Sequence, residues 1–238
     1  MNYEFDLHMH TIVSGHAYST LQEMVKSAAE KGLKMIGITE HAYSMPGAPL
    51  PLYFHNLKVV PKEMYGVRVL KGIEANILNS KGTIDLDNYT KNYLEVVIAS
   101  LHPPCIQPST LEINTETIVN TLRNPKVDII GHPDDSRYPL DYDIVVKEAK
   151  DNNKLLELNN SSLNPQGFRE GARKNATKML ELCKQYNHPI IIGSDAHISF
   201  DVGNFDYAKS LIEEVNFPEA LIMNTSVDKI KKHLNLVD

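Results

Sequence analysis

Seven short apolar, β-branched runs alternate with amphipathic stretches along almost the whole chain. The runs cover residues 3–9, 34–39, 67–74, 94–101, 127–130, 155–158 and 189–193. Helical spacing of apolar side chains marks residues 19–31, where Leu21, Met24, Val25 and Ala28 share a face. The same spacing returns at 115–122, 143–152, 171–186, 205–215 and 227–234. Ser19 and Gly32 are the expected start and stop of the first helix, and Thr225 or Ser226 caps the last. Residues 45–61 are proline-rich and read as an irregular loop. Such alternation calls for a parallel sheet covered by helices. It fits an open doubly wound sheet and a closed barrel equally well.

The polar residues help to separate the two. His8 and His10 end the first run, His41 follows the second and Glu74 ends the third. His102 and His132 follow the fourth and fifth, Asn159 the sixth, and Asp195 and His197 the seventh. An open sheet gathers ligands only near a switch point. A barrel brings every C-terminal strand end to one mouth. The distribution therefore favours a seven-stranded barrel with a site at the C-terminal ends of its strands.

Residues two apart on a strand share a face, so His8 and His10 project together, as do Asp195 and His197. Imidazole and carboxylate together suit zinc, manganese or iron. Glu74 can bridge two ions, and ions about 3.5–4 Å apart can clamp both oxygens of a phosphoryl transfer. Gly72, Ser100 and Gly193 each lie two residues before a ligand candidate, which leaves room for imidazoles, although Ile130 breaks the pattern. Asp6 shares the face of His8 and His10 and is expected either to hold an imidazole N–H from behind or to play a plain structural role. His55, His188 and His233 fall away from the mouth and are read as structural or solvated.

Other chemistries find little support. Ser194, Asp195 and His197 are not a serine triad, because neighbours on one strand diverge. No nucleophile elbow or phosphate-cradling glycine loop is present, and Cys105 reads as packing. The net charge of −6 lacks the basic face that long nucleic acids require. Lys229, Lys231 and Lys232 read as the solvated side of a terminal helix. With no signal peptide, no apolar stretch of membrane-spanning length, and Cys105 and Cys183 read as reduced, the chain is expected to be cytoplasmic.

These residues together resemble the PHP (polymerase and histidinol phosphatase) superfamily. The resemblance rests on Asp6-Leu7-His8-Met9-His10-Thr11, Thr39-Glu40-His41, Gly72-Ile73-Glu74-Ala75-Asn76, Gly131-His132-Pro133 and Gly193-Ser194-Asp195-Ala196-His197. His16-Ala17-Tyr18-Ser19 and the run from Glu157 through Asn159 to Ser162 are similar to the small bacterial YcdX-type phosphatases. The resemblance covers the chain as a single PHP domain, 1–238. It implies a distorted (β/α)7 TIM-like barrel with three divalent metal ions, usually zinc, with manganese or iron as alternatives.

The implied ligands are His8, His10, His16, His41, Glu74, His102, His132, Asp195 and His197. His8, His10, Glu74 and Asp195 would hold one ion. Glu74, His102 and His132 would hold a second, and His16, His41 and His197 a third. Glu40 stands where the family more often has Asp, and alternation turns it away from His41 and the metals. The implied reaction is hydrolysis of a small phosphate monoester by hydroxide held between metals. Glu74, Asp195 and His197 would be its catalytic side chains, and Arg169 is a candidate phosphate contact. A PHP-type nuclease acting on short strands is the alternative. An amidohydrolase would want eight strands and a carboxylated lysine where Glu74 stands.

Overall fold

The computed structural model describes residues 1–236. The first elements are β1 (Phe5–Asp6), α1 (Leu21–Glu30), β2 (Met35–Ile38), α2 (Pro51–Asn56), β3 (Glu63–Met64) and β4 (Val67–Asn76). Then come α3 (Asn88–Lys91), β5 (Val96–Ser100), α4 (Leu111–Leu122), β6 (Ile129–Ile130), α5 (Tyr142–Asp151) and β7 (Leu155–Asn159). The chain ends with α6 (Ala172–Tyr186), β8 (Ile190–Gly193), α7 (Asp206–Glu214) and α8 (Val227–Leu234).

Seven strands lie in the order β1-β2-β4-β5-β6-β7-β8, and each neighbouring pair is parallel. β3 is an added antiparallel edge on β4. Tyr65 and Gly66, both with positive φ, make the two-residue turn between them, which suits a hairpin's right-handed twist. The sheet curls until its ends meet. At the top, Met9 bridges Ala196, with His10 N–H on the Ala196 carbonyl at 2.8 Å and Asp195 N–H on the His8 carbonyl at 2.9 Å. Lower down, β1 and β8 form no ladder among the described residues, and the buried Asn224 side chain lies in the seam. Its Oδ1 accepts from Ile192 N–H at 2.7 Å, and its Nδ2 donates to the Phe5 and Ile192 carbonyls. The backbone of the same segment helps to join the seam, with Glu4 N–H on the Asn224 carbonyl at 2.8 Å and Ile222 bridging Ile190 in β8. The result is an α/β, TIM-like barrel of seven parallel strands, nearly closed.

The barrel interior is layered. Leu70, Ile98, Leu155 and Ile191 each stand four residues before Glu74, His102, Asn159 and Asp195, and they belong to one buried apolar cluster with Phe5 and Leu7. Above them lie Gly72, Ser100, Glu157 and Gly193. The polar strand ends form the top layer. A larger cluster, including Ile73, Val97, Ile130, Leu156 and Ile192, packs between the strands and the helices.

Local chemistry moves some expected boundaries. Thr20, not Ser19, caps α1: its side chain accepts from Glu23 N–H while Glu23 reaches back to the Thr20 N–H. Ser19 instead accepts from Ser199 N–H. The stretch 45–61 is not wholly irregular, because Pro51 stands in the first turn of α2 and presets its φ. Ser226 sits at the start of α8 but makes no side-chain cap; Glu4 accepts the Val227 N–H there.

Candidate metal centre

The nine ligand candidates lie at one end of the barrel. His8 and His10 follow β1, His41 follows β2, Glu74 is in β4, and His102, His132, Asp195 and His197 follow β5, β6 and β8. His16 arrives from the loop after β1, which the strand pattern does not reach. Gly15 turns that loop with φ 80°, and a Cβ there would meet the Gly47 carbonyl oxygen at 2.7 Å. His132 and Asp195 are held in left-handed backbone, at φ 28° and 54°. Such conformations cost energy in non-glycine residues and tend to gather at functional sites.

Glu74 is the hub. His8 Nε2 lies 3.4 Å from its Oε1, and His10 Nε2 lies 3.4 Å from its Oε2. Asp195 Oδ1 stands 3.6 Å from His8 Nε2 and 3.4 Å from His10 Nε2. Tetrahedral bonds of roughly 2.0–2.2 Å put donors roughly 3.3–3.6 Å apart, so these spacings match the edges of one coordination shell. His132 Nε2 and His102 Nε2 approach Glu74 Oε1 at 2.9 and 3.2 Å. His16 Nε2 lies 3.3 Å from His41 Nε2 and 3.1 Å from His197 Nε2, while His41 Nδ1 faces Glu74 Oε2 at 2.7 Å. His8 Nε2, His10 Nε2, His41 Nδ1 and Glu74 Oε2 are buried and make no hydrogen bond. Buried polar atoms are seldom left so, and all four point into this cluster, so the donor set fits divalent cations.

The charge balance agrees. Burial opposes ionisation of Glu74, yet His102, His41 and His8 hold its carboxyl well below the usual range. Asp195 is likewise buried and held well down, by His8, His10, Arg169 and His197. Burial, with His41 and His197, pushes His10 well down, and burial lowers His102 to about 4. Ionised carboxylates and neutral imidazoles are the forms that bind metals. His8 departs from this. Burial lowers it, but Glu157, Asp195 and Glu74 together raise it well above the ordinary value. Three carboxylates around one ring are an excess of negative charge that a cation would balance.

A second layer orients the rings, and most of it was invisible in the sequence pattern. Glu157 is buried inside the barrel. Its Oε1 lies 2.7 Å from His8 Nδ1, and its Oε2 accepts from His132 N–H at 2.7 Å and Asn159 Nδ2 at 3.0 Å. Gly193 makes the room for it, since a Cβ there would stand 1.9 Å from Glu157 Oε1. The small residue below Asp195 therefore admits the Glu157 carboxylate as well as leaving room for the His8 side chain, whose own Cβ would stand 2.9 Å from the added one. His102 Nδ1 meets Asn76 Oδ1 at 2.7 Å, and His197 Nδ1 meets the Asp195 carbonyl at 2.9 Å. Among the described residues, Asp6 makes no hydrogen bond to an imidazole, so its role is structural. It accepts from the backbone N–H groups of His8, Ser194 and Gly203, because strand alternation breaks after β1 and turns it aside. Glu40 points away from the His41 ring as expected, but it is linked to His10 through Ser14.

Arg169 reaches the same cluster. Its guanidinium bonds Asp195 Oδ2 at 3.2 Å and Ser162 Oγ at 3.0 Å. It borders a cavity of about 570 Å³ with His16, His41, His102, His132, Asp195 and His197. Arg137 and the exposed Phe168 line the rim. Both arginines pack on the Phe168 ring, and Asp135 grips Arg137 through two oxygens. Neither Arg137 nor Phe168 carried a motif. His55 packs between Tyr89 and Tyr93 and bonds Thr90, away from the cavity. His188 is buried, facing His233 and Lys150. Burial raises Cys183 to about 12 and Cys105 to about 11, so both thiols stay protonated. Among the described residues, no helix is long and apolar enough to cross a membrane.

A parallel barrel with histidines and carboxylates gathered at its mouth has the architecture of a metal-dependent hydrolase. Comparison with known proteins makes this specific. The PHP domain family matches residues 6–235. A probable phosphatase of Clostridium acetobutylicum is 48% identical over 234 residues, covering 98% of this chain and 95% of that protein. A probable phosphatase of Acetivibrio thermocellus is 47% identical, covering 98% and 96%. Histidinol phosphate phosphatase from Lactococcus lactis, solved with zinc, L-histidinol and phosphate, shares the fold with a TM-score of 0.61. It is 19% identical and covers 91% of this chain and 95% of its own. The chain belongs to the PHP domain family, and it is a hydrolase of phosphoric monoesters.

Proposed function

We propose that the chain is one PHP domain that hydrolyses a small phosphate monoester at a centre of up to three divalent ions, with zinc the first candidate. The observation that carries this reading is that the Nε2 atoms of His8 and His10 each lie 3.4–3.6 Å from a Glu74 oxygen and from Asp195 Oδ1. Those four would hold one ion. Glu74 would share a second with His102 and His132, and His16, His41 and His197 would hold a third. When bound, such ions activate water and neutralise charge on phosphate oxygens. Zinc in the Lactococcus lactis enzyme supports that choice of metal.

The protein's own groups do the rest. Arg169 binds a phosphate oxygen with a fixed, nearly buried guanidinium. Arg169 and Asn159 bind Asp195 Oδ2 and hold the carboxylate ionised and in place, and a histidine of the third site or Asp195 itself would handle the leaving-group proton. His197 is the partly exposed side of the site, and its Nδ1 is tied to the Asp195 carbonyl. The cavity of about 570 Å³ suits a metabolite. The net charge of −6 does not favour a polynucleotide substrate. The reduced cysteines fit a cytoplasmic setting.

A panel of phosphate monoesters, run beside short single-stranded oligonucleotides, tests the assignment. Turnover of monoesters with intact oligonucleotides is the expected result. Phosphodiester cleavage without monoester turnover would replace the reading with the nuclease one.

A further inference from the structure

The proton on Nδ1 decides whether a histidine offers a lone pair at Nε2. For three rings the Nδ1 partner is a pure acceptor: the Glu157 carboxylate, Asn76 Oδ1 and the Asp195 carbonyl. The Asn76 oxygen is fixed because its Nδ2 donates to the Ala42 carbonyl and to Asp85. His10 differs. Its Nδ1 partner is the Ser14 hydroxyl, 3.2 Å away, and a hydroxyl can donate or accept.

Ser14 Oγ also accepts from the His41 backbone N–H at 3.2 Å. Its single proton can go to His10 Nδ1 or to Glu40 Oε2, 2.6 Å away. Glu40 is fully buried. It also receives the Thr11 N–H at 3.0 Å, the Thr11 hydroxyl and the Tyr53 hydroxyl at 3.3 Å. Each group around its two oxygens is placed as a donor, so Glu40 Oε2 takes the Ser14 proton. Ser14 must then accept from His10 Nδ1–H. That leaves the His10 Nε2 lone pair facing Glu74 Oε2 and Asp195 Oδ1, each 3.4 Å away.

The geometry points to Glu40 and Ser14 as positioning residues that set the tautomer of His10 and, through the same hydroxyl, anchor the backbone of His41. His10 and His41 belong to different ion sites in the proposed centre, so one buried hydroxyl serves two of them. The inference rests on the metal reading for its consequence, but not for its hydrogen-bond directions.

Glu40→Gln separates charge from shape. The amide keeps the volume but turns an N–H toward Ser14, which sends the serine proton to His10 Nδ1 and removes the Nε2 lone pair. Glu40→Asp is shorter but still only accepts. Zinc affinity is measured by competition with a chelator, with the thermal midpoint as a folding control. Histidine tautomers are read from long-range ¹H–¹⁵N spectra of histidine-labelled protein, with and without zinc.

The expected results are Nδ1–H on His10 in the wild-type protein and zinc binding weakened about 10–100-fold in Glu40→Gln. Glu40→Asp should bind more tightly than Glu40→Gln. A merely steric role predicts the opposite order. Wild-type zinc affinity in a folded Glu40→Gln, or Nε2–H on wild-type His10, would overturn the inference. If Glu40→Gln does not fold, the wild-type tautomer and the zinc affinity of Ser14→Ala decide it. If the wild-type protein binds no zinc, the metal reading fails, and the tautomer of the metal-free protein still decides the relay.

Discussion

Arg169 stands between the ligand set and the space where a substrate would lie. It holds Asp195 on one side and borders the cavity on the other. Charge-assisted bonds to phosphate contribute about 1.5–3 kcal/mol, so Arg169→Met should raise KM for phosphate esters about tenfold or more. Metal content should stay the same. Steady-state kinetics with parallel metal analysis check this, and an unchanged KM would remove Arg169 as a phosphate contact. At this scale the sequence was informative where a residue type is rare and its position regular. Seven ligand candidates follow strand ends and Glu74 lies near the end of β4, and Arg169 stood out after β7. His16 needed the family resemblance, because a loop residue has no period. Glu157 and the Glu40–Ser14 pair were hidden for another reason. A hydrogen bond between residues 149 apart, as from Glu157 to His8, leaves no local trace.

Between β7 and β8 the barrel depends on one missing side chain. Gly193→Ala would place a Cβ 1.9 Å from Glu157 Oε1 and 2.9 Å from His8 Cβ. The backbone there is β8, so neither neighbour has an easy retreat. The expected outcome is a lower thermal midpoint together with loss of metal, because Glu157 can no longer hold His8. Thermal melting and metal analysis of the variant read both, and a stable, fully loaded protein would contradict the layered account of the interior. At the opposite end, His188 precedes β8 in a buried position. Burial, with His233 and Lys150, lowers it from 6.5 to about 4. The folded state therefore keeps it neutral, while the unfolded chain takes up a proton as pH falls below 6.5. Stability should be lost as pH falls from 6.5 toward 4, and His188→Gln should flatten that slope. Urea midpoints across this range, measured in chelated protein so that metal loss adds nothing, test the sign. Element boundaries followed the sequence well where apolar spacing is long, as in α6, and poorly where proline dominated, although Pro51 was itself a start signal for α2.

For the whole molecule, a barrel rather than an open sheet was legible because ligand-type residues ended nearly every run. How seven strands close was not. The seam is joined by Asn224, far along the chain from both Phe5 and, in strand terms, from β8, and nothing in its local sequence marks it. Closure matters to function because it brings Asp195 beside His8 and His10; without the Met9–Ala196 bridge, the first and last strands would carry half a shell each. The central claim is that this shared mouth binds the metals on which hydrolysis depends. The most direct test is elemental analysis of the purified protein, with p-nitrophenyl phosphate turnover measured before chelation, after it, and after metal is restored. The account predicts about three divalent ions per chain, activity lost on chelation and regained with zinc, manganese or iron. A protein that hydrolyses the ester equally well after complete removal of metal would contradict it.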